Sequence, residues 1–331
     1  MSSQSETADA AVVTPIKRVL VSRLLPPMAQ RRVDALSQRL DIVQWKSSAS
    51  AMPRNDLLQS VAGMNGIMVM VGDMIDEELL QHAGSSLTVV STMSAGCDHI
   101  DFEAARTRSI RVCNTPDVLT DATAEIAVGL VLSVARRFNE GQAAVRNAQW
   151  GVWNPVWLCG MQLPGKTVGI VGLGRIGLAV AKRLIPFQIG RVIYCGTRDK
   201  PDVASQINAE FMEIDMLLSQ SDVVVVCCAL TAHTRHMFDQ RKFSLMKSTA
   251  IFINISRGGI VDQDALVEAL RTGVISGAGL DVTDPEPISP DHALVTELHH
   301  KCVILPHIGS AALEAREAMA NLAIDNLLAG I

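Results

Sequence analysis

Short apolar runs alternate along the first third of this chain with segments in which apolar residues recur every three or four positions. The runs at residues 17–22, 66–71, 88–91 and 111–113 have the composition of short β-strands. Helical spacing appears at residues 76–82 and at residues 26–40, the latter through Met28, Val33, Leu36 and Leu40. This alternation predicts a parallel sheet with helices on both faces.

The rest of the chain predicts a second, larger unit of the same kind. Its apolar or β-branched strand patterns lie at residues 167–171, 191–195, 223–228, 250–255, 277–282 and 302–305. The run within 223–228 is continuously apolar, which is typical of a central parallel strand buried on both faces. The predicted fold class is therefore α/β, with two Rossmann-like, doubly wound parallel sheets.

Two helical patterns bear on the domain organisation. One runs from about residue 121 to residue 148, with Thr120 or Asp121 as its N-cap, and is expected to bridge the two units. The other, at residues 311–328, comes last and is expected to pack back on the first unit. We therefore predict a discontinuous domain at residues 17–118 and 308–331, a second domain at residues 119–307, and a disordered extension at residues 1–16.

Composition narrows the functional class. A net charge of −5, without a lysine and arginine cluster, argues against a nucleic-acid binder. The seven cysteines are odd in number and lack metal-ligand spacing, which indicates a reducing compartment and no metal site. No apolar run reaches the roughly 18 residues of a membrane span. Residues 1–15 contain Glu6 and Asp9 but no arginine, which does not support a targeting peptide. We expect a cytoplasmic protein.

The most specific motif opens the second unit. An apolar strand pattern at residues 167–171 leads into Gly172, Gly174 and Gly177, and a helical pattern follows. In a dinucleotide site the first glycine permits a tight turn, the second lets the backbone approach a pyrophosphate, and the third lets helix and strand pack closely. The helix N-terminus offers N–H groups to the phosphates. The motif therefore predicts a dinucleotide as the cofactor.

The residues after the next strand bear on which dinucleotide is preferred. Folds that prefer NAD place an acid about 20 residues past the glycines, where this chain has Cys195 or Gly196. A hydroxyl at Thr197 and cations at Arg198 and Lys200 suit the 2′-phosphate of NADPH instead. The alternative is an ordinary solvated turn.

Three polar side chains follow successive strands of the second unit. Arg257 follows the strand at 250–255, Glu286 lies in a proline-rich loop after the next strand, and His307 follows the last one. Ligands of open parallel sheets bind beyond the carboxyl ends of the strands, so we expect these side chains to converge. Taken singly, they have ordinary explanations as a surface ion pair, a solvated loop residue and a strand-end histidine.

Together these residue types match the reduction of a 2-oxo acid, which needs a hydride donor, a proton donor and a carboxylate anchor. His307 is the natural proton donor, and contact with Glu286 would favour its imidazolium. Arg257 suits the carboxylate anchor. Asp281, at the end of its strand, is expected to accept a hydrogen bond from the nicotinamide amide or a ribose.

From about residue 17 to its C-terminus the chain resembles the D-isomer-specific 2-hydroxyacid dehydrogenases. Besides the glycine motif, the resemblance rests on Asn-Ile-Ser-Arg-Gly ending at Gly258, Gly-Leu-Asp-Val beginning at Gly279 with Glu-Pro following, and Pro-His-Ile-Gly-Ser ending at Ser310. Members of this family are dimers of two-domain subunits with the active site in the cleft between the domains. Relatives continue for several residues beyond the position of Ile331.

The resemblance implies a set of site residues. Arg257, Glu286 and His307 match the family's catalytic residues, and Arg257 and His307 also bind substrate. The backbone amides of Ala95 and Gly96 match its substrate-carboxylate loop, and Ser310 matches a polar neighbour of the histidine. The implied cofactor-binding positions are Gly172, Leu173, Gly174, Arg175, Ile176, Gly177, Thr197, Arg198, Ala229, Ile255 and Asp281.

A tryptophan-rich stretch follows the long helical pattern. Trp153 matches a family residue that reaches across a dimer interface to the active site of the partner subunit. Three indoles, at Trp150, Trp153 and Trp157, are unusual in a solvated loop, so an interface is expected on physical grounds as well. An intrachain core is the alternative.

The resemblance implies an NADPH-preferring homodimeric reductase that converts glyoxylate to glycolate and hydroxypyruvate to D-glycerate, with NADH as a second coenzyme. One alternative is an NAD-dependent dehydrogenase of another D-2-hydroxy acid such as phosphoglycerate. Such an enzyme would require an acidic residue at the position of Cys195 and a cationic pocket for the phosphate. The other is a nucleotide-sensing corepressor or scaffold, a class that usually carries long docking extensions. The fold alone does not decide among them.

Overall fold

The computed structural model describes residues 16–331, which form two compact units. One unit comprises the described residues up to Thr115 together with Met319–Ile331, and the other is Pro116–Ala318. The domain boundaries predicted at 118/119 and 307/308 stay predictions. Of the predicted disordered extension, residues 1–15 lie outside the described residues.

The first unit is built on a five-stranded sheet in the order β2-β1-β3-β4-β5, with every neighbouring pair parallel. Its strands are β1 (Arg18–Val21), β2 (Asp41–Gln44), β3 (Gly66–Val69), β4 (Val89–Thr92) and β5 (Arg111–Cys113). The helices between them are α1 (Pro27–Leu36), α2 (Arg54–Ser60), α3 (Glu77–Ala83) and α4 (Phe102–Thr107). Asp76 and Asp101 cap α3 and α4 by accepting backbone N–H bonds from Leu79 and Ala104.

The predicted helix at residues 26–40 was too long. Helix α1 ends at Leu36, and the chain enters β2 at Asp41, where it pairs with β1. Strand β2 is an edge strand whose residues are exposed or half-buried, so it lacks the apolar run that marks the other strands. The remaining strand predictions of this unit are confirmed within two residues.

The second unit contains a seven-stranded parallel sheet in the order β12-β11-β10-β9-β6-β7-β8. Its strands are β6 (Thr167–Val171), β7 (Arg191–Cys195), β8 (Glu210–Phe211), β9 (Val223–Val226), β10 (Ile251–Asn254), β11 (Gly277–Leu280) and β12 (Cys302–Ile304). The helices are α5 (Thr120–Ala135), α6 (Phe138–Arg146), α7 (Arg175–Leu184), α8 (Pro201–Ala204), α9 (Ile214–Gln220), α10 (Gln240–Ser244) and α11 (Gln263–Arg271). Of the strands in this unit, only the two-residue strand β8 was not predicted from the sequence.

Strand β9 shows why the sheet is covered on both faces. Its four valines are fully buried, and they alternate between two hydrophobic clusters. Val224 and Val226 belong to the cluster that includes Phe238 and Phe252, whereas Val223 and Val225 belong to the cluster that includes Val180. The predicted two-sided burial is confirmed, and the α/β fold class is confirmed with it.

The long helical pattern at 121–148 corresponds to two helices, so the prediction of one helix was wrong. Helix α5 ends at Ala135, and Arg137 takes a left-handed conformation with φ of +56° before α6 begins. Apolar periodicity continues through this break and conceals it. The predicted N-caps Thr120 and Asp121 were also wrong, because the helix is preceded by Leu119 and has no side-chain cap.

The last helix, α12 (Leu313–Leu328), contributes most of its length to the first unit. From Met319 onward it belongs to that unit. The Ser91 hydroxyl donates to the Ala323 carbonyl at 2.8 Å. The Thr88 hydroxyl donates to the Gly330 carbonyl at 2.7 Å. The first unit is therefore discontinuous in sequence.

Candidate functional site

The glycine motif forms the turn between β6 and α7, at the point where the strand order of the sheet reverses between β9 and β6. Gly172 has φ of +97°, and a Cβ there would lie 2.7 Å from the Cys228 backbone nitrogen. A Cβ on Gly177 would lie 2.5 Å from the Gly172 carbonyl oxygen, so the helix can pack on the turn only with glycine there. The first and third glycines therefore have the steric roles that the motif predicts.

Gly174 differs, because a Cβ built on it would meet no atom within 4 Å. It precedes α7, whose N-terminus has no side-chain cap. The backbone N–H groups of the first helical turn are thus left for an external acceptor. Open space beside uncapped N–H groups at a strand-order reversal fits a dinucleotide pyrophosphate.

The turn after β7, residues 196–200, lies beside the glycine motif. The Gly172 N–H donates to the Cys195 carbonyl at 2.9 Å, and the Lys200 ammonium donates to the Leu173 carbonyl at 3.0 Å. Thr197 and Arg198 are exposed. Cys195 is buried, and burial raises the pKa of its thiol to about 12, so this position offers no acid to a ribose. We call residues 196–200 the coenzyme turn.

The other predicted cofactor positions differ in what they can offer. The side chains of Leu173 and Ile255 are buried in the hydrophobic core, so only their backbones could face a ligand. Arg175 is engaged with Asp117, its Nε lying 2.5 Å from the carboxylate. Ile176 is half-buried and Ala229 is exposed. Their assignment to the cofactor stays a prediction.

Arg257, Glu286 and His307 follow β10, β11 and β12, which are neighbours in the sheet. We call these three residues the strand-end cluster. His307 Nδ1 lies 2.8 Å from Glu286 Oε2, and Glu286 Oε1 accepts the Thr283 N–H at 3.1 Å. A carboxylate at Nδ1 favours the tautomer with hydrogen there and leaves Nε2 for a ligand. The two side chains keep about a third of their surface exposed, at 31% and 35%.

The charge state of Glu286 follows from its neighbours. Burial raises the pKa of this carboxyl, but the hydrogen bond and charge of His307, with smaller contributions from the Thr283 N–H and Arg257, outweigh burial and lower it overall. Glu286 is therefore a carboxylate at neutral pH, able to accept a hydrogen bond from His307 Nδ1.

The loop that carries Arg257 is shaped by two residues to which the sequence interpretation gave no role. Asn254 is fully buried, and its side chain donates to the Arg257 carbonyl at 2.9 Å and accepts the Ser256 N–H at 3.0 Å. Gly258 lies against the loop before Glu286, since a Cβ there would be 2.0 Å from the Thr283 carbonyl carbon. The sequence signal available for Asn254 was a polar amide at the end of the apolar strand β10.

Asp281 holds the backbone that follows His307. Its two carboxylate oxygens accept the N–H groups of Ile308 and Gly309 at 2.8 and 2.7 Å, and its carbonyl accepts the His307 N–H at 2.8 Å. His307 itself has φ of +53°, a conformation uncommon outside glycine. Asp281 is therefore a positioning residue for the histidine loop, and its contact with a cofactor stays a prediction.

The predicted carboxylate loop lies in the first unit, directly after β4. The Asn114 side chain donates to the Ala95 carbonyl at 2.8 Å, and the Ser94 hydroxyl donates to the Gly96 carbonyl. These bonds fix the carbonyls of the loop. Ser310 is in the second unit with the strand-end cluster, and its carbonyl accepts from the Arg316 guanidinium at 3.1 Å.

Comparison with known proteins decides the family. Residues 128–309 match the NAD binding domain of the D-isomer specific 2-hydroxyacid dehydrogenases. A glyoxylate reductase/hydroxypyruvate reductase of Mus musculus is 48% identical over 318 residues, covering 96% of this chain and 95% of the relative. The chain belongs to the D-isomer-specific 2-hydroxyacid dehydrogenase family. It is accordingly an NAD(P)-dependent oxidoreductase.

Solved structures agree with this family. A protein of Thermus thermophilus is 45% identical with a TM-score of 0.86, covering 94% of this chain and 96% of that one. An NADPH-dependent glyoxylate/hydroxypyruvate reductase of Sinorhizobium meliloti, in complex with NADP and malonate, is 31% identical with a TM-score of 0.80, covering 95% and 93%. The resemblance stated from the motifs is thereby confirmed.

The tryptophan-rich stretch of this dehydrogenase is exposed. Trp150, Trp153 and Trp157 keep 69%, 80% and 41% of their surface accessible, and Val152 and Val156 beside them are exposed as well. The alternative of an intrachain core is therefore wrong for the three indoles. An exposed apolar patch of this kind is typical of an interaction surface.

Among residues 16–331, no group of three or more histidine, cysteine or acidic side chains is arranged to hold a metal ion. No helix within the same part of the chain has the length and apolar character that a bilayer span requires.

Proposed function

We propose that the protein is an NADPH-preferring reductase of small 2-oxo acids, which converts glyoxylate to glycolate and hydroxypyruvate to D-glycerate. The observation that carries this proposal is the His307–Glu286 pair, held with Arg257 at the carboxyl end of the sheet that also carries the glycine motif. The names of the mouse and Sinorhizobium relatives support the choice of substrates.

In this proposal His307 is the acid that protonates the 2-oxo oxygen. Glu286 holds Nδ1, so the proton leaves from Nε2. The carboxylate of Glu286 stabilises the imidazolium before the transfer and fixes the orientation of the ring. In the reverse direction the neutral ring accepts the proton from the hydroxy acid at the same nitrogen.

Substrate binding is assigned to groups that recognise a carboxylate. The Arg257 guanidinium anchors the carboxylate or the keto oxygen by charge-assisted hydrogen bonds. The N–H groups of Ala95 and Gly96 are proposed to bind a substrate carboxylate, and Ser310 is proposed as a polar neighbour of the histidine. Such anchoring fixes the reacting carbon relative to the proton donor.

The coenzyme is assigned to the glycine motif and the coenzyme turn. A nicotinamide dinucleotide supplies the hydride when bound. Gly172, Gly174 and Gly177 shape the loop for its pyrophosphate, and the Thr197 hydroxyl and the Arg198 guanidinium recognise the 2′-phosphate of NADPH. NADH, which lacks that phosphate, is the weaker coenzyme.

We further propose a homodimer in the cytoplasm. The exposed stretch around Trp153 supports a partner surface, with Trp153 reaching the active site of the partner subunit. The seven cysteines are all free, which is compatible with a reducing compartment.

The first experiment is an initial-rate comparison. The purified protein is assayed with glyoxylate, hydroxypyruvate and pyruvate, each with NADPH and with NADH, by absorbance at the nicotinamide band. We expect NADPH-linked turnover of the first two and little turnover of pyruvate. Activity with NADH alone would overturn the coenzyme preference. Dinucleotide binding without turnover of any of these acids would instead favour the sensing or scaffold function.

Arg198→Ala tests the coenzyme assignment directly. Because Arg198 is proposed to contact only the 2′-phosphate, we expect the KM for NADPH to rise about tenfold or more and the KM for NADH to change little. Steady-state kinetics with both coenzymes measure this. Arg191→Ala is the matched control, because Arg191 begins β7 at the end away from the coenzyme turn and pairs with Glu210 at 2.6 Å, so it should change neither KM. Equal increases for NADPH and NADH in Arg198→Ala would contradict the assignment.

A further inference from the structure

The coenzyme turn contains an acidic residue that conflicts with NADPH binding. Asp199 is adjacent to Arg198, and a carboxylate near the adenosine ribose would repel a 2′-phosphate and accept a hydrogen bond from the 2′-hydroxyl of NADH. A turn with a free Asp199 would therefore suit NADH at least as well as NADPH.

Asp199 is exposed, and the structure shows which group engages one oxygen of its carboxylate. The Tyr194 hydroxyl donates a hydrogen bond to Asp199 Oδ1 and accepts the backbone N–H of Lys200 at 2.9 Å. Tyr194 is the penultimate residue of β7 and is 1% exposed, and its ring packs against Phe211 with centroids 5.3 Å apart. The hydroxyl is therefore presented to the turn from a rigid, buried ring.

The other polar groups of the coenzyme turn are placed around this hydrogen bond between Tyr194 and Asp199. Burial, together with the hydrogen bond to Asp199, raises the pKa of the Tyr194 phenol, so it stays a neutral donor at physiological pH. The Lys200 ammonium is directed to the Leu173 carbonyl of the glycine motif. Thr197 and Arg198 are exposed.

We propose that Tyr194 is a specificity-determining positioning residue, which favours NADPH over NADH by engaging Asp199 and fixing the coenzyme turn so that Thr197 and Arg198 are the groups offered to the ribose. The proposal rests on the proposed dinucleotide function of this turn. It assigns the choice of coenzyme to a residue buried beneath the site as well as to the exposed arginine.

The test measures the dissociation constants of NADPH and NADH by titration calorimetry, which needs no substrate. The proteins compared are the wild type, Tyr194→Phe, Asp199→Asn and the double variant. Tyr194→Phe removes only the hydroxyl, so the NADPH preference is expected to fall about tenfold. Asp199→Asn keeps an oxygen that can accept from Tyr194 and should alter the preference by less than tenfold.

The double variant separates charge from structure. If the released carboxylate causes the loss, Tyr194→Phe with Asp199→Asn should recover most of the NADPH preference, although the turn still lacks the tyrosine hydroxyl. A preference in Tyr194→Phe within about threefold of wild type would overturn the proposal. So would a loss that persists unchanged in the double variant.

Thermal unfolding shows whether Tyr194→Phe is folded. If it is not, the Asp199→Asn variant provides the test. A gain of tenfold or more in its NADPH preference would mean that the Asp199 carboxylate opposes NADPH binding even while Tyr194 is present, and would overturn the proposal. A wild type that binds neither dinucleotide would refute the proposed function itself. A wild type that prefers NADH would refute the NADPH preference. The difference in coenzyme preference between wild type and Tyr194→Phe would still test the role of Tyr194.

Discussion

Replacing His307 with asparagine is expected to lower kcat for 2-oxo acid reduction by about 10²–10⁴-fold, because the proposed proton donor is lost. Asparagine is chosen since His307 has φ of +53°, and asparagine tolerates that conformation better than most residues. Stopped-flow or steady-state reduction of glyoxylate measures the loss. Dinucleotide affinity should stay near that of the wild type, because the glycine motif is untouched.

Glu286→Gln is the matched variant, as it keeps an oxygen that can accept from His307 Nδ1 but removes the charge. The pKa of Glu286 is lowered in the fold, so its stabilising charge is fully present above the ordinary carboxyl pKa and is lost only as pH falls through the lower folded value. At neutral pH Glu286 is therefore a carboxylate that accepts a hydrogen bond from His307 Nδ1. Without this charge we expect kcat for reduction to fall, but by less than in His307→Asn, because the glutamine oxygen still orients the ring. An unchanged kcat in Glu286→Gln, or a His307→Asn variant with full activity, would contradict the assigned roles.

Gly258→Ala is expected to destabilise the fold by about 1–3 kcal/mol and to impair reduction at the same time. The added methyl carbon would lie 2.0 Å from both the carbonyl carbon and the oxygen of Thr283, so the backbone must move. The movement would separate the loop of Arg257 from the loop of Glu286, which meet at this contact. Urea unfolding and steady-state kinetics on the same preparation measure both effects.

The neighbouring glycine provides the control. A Cβ on Gly259 would lie 3.2 Å from a carboxylate oxygen of Asp284 and 3.4 Å from a Leu230 methyl, and both belong to side chains that can shift. Gly259→Ala should therefore change stability by no more than about 1 kcal/mol and leave kcat nearly intact. Equal effects of the two substitutions would show that the Thr283 contact has no special role.

The sequence predicted most of the sheet framework because its signals are local. Buried parallel strands such as β6 and β9 need continuous apolar residues, so they are visible without any knowledge of their neighbours. Strand β2 was missed because polar Asp41 and Gln44 leave it an apolar run of only two residues, and β8 was missed because it is only two residues long. The break between α5 and α6 was missed because the apolar spacing continues through Arg137.

Part of the candidate site could also be predicted from local sequence features. The glycine motif and the strand-end cluster were identifiable because polar or glycine residues interrupt apolar runs at strand ends. The predicted contact between His307 and Glu286 is present at 2.8 Å. Asn254 also ends an apolar strand, but its hydrogen-bond partners were not predictable, and the contacts of Gly258 and the Tyr194 hydroxyl gave no comparable signal, because a buried amide, glycine or phenol has no single meaning until its neighbours are known.

The sequence by itself determined the fold class, the family and the residue types available for the chemistry, because strand burial, glycine spacing and strand-end side chains are properties of short segments. Only the tertiary structure decided which segments meet. It placed Gly258 against Thr283, Asp281 beneath the backbone after His307, and the Tyr194 hydroxyl on Asp199. Those contacts depend on how separate loops and side chains are placed in three dimensions. The spacing of residues along the chain does not give the distances between them.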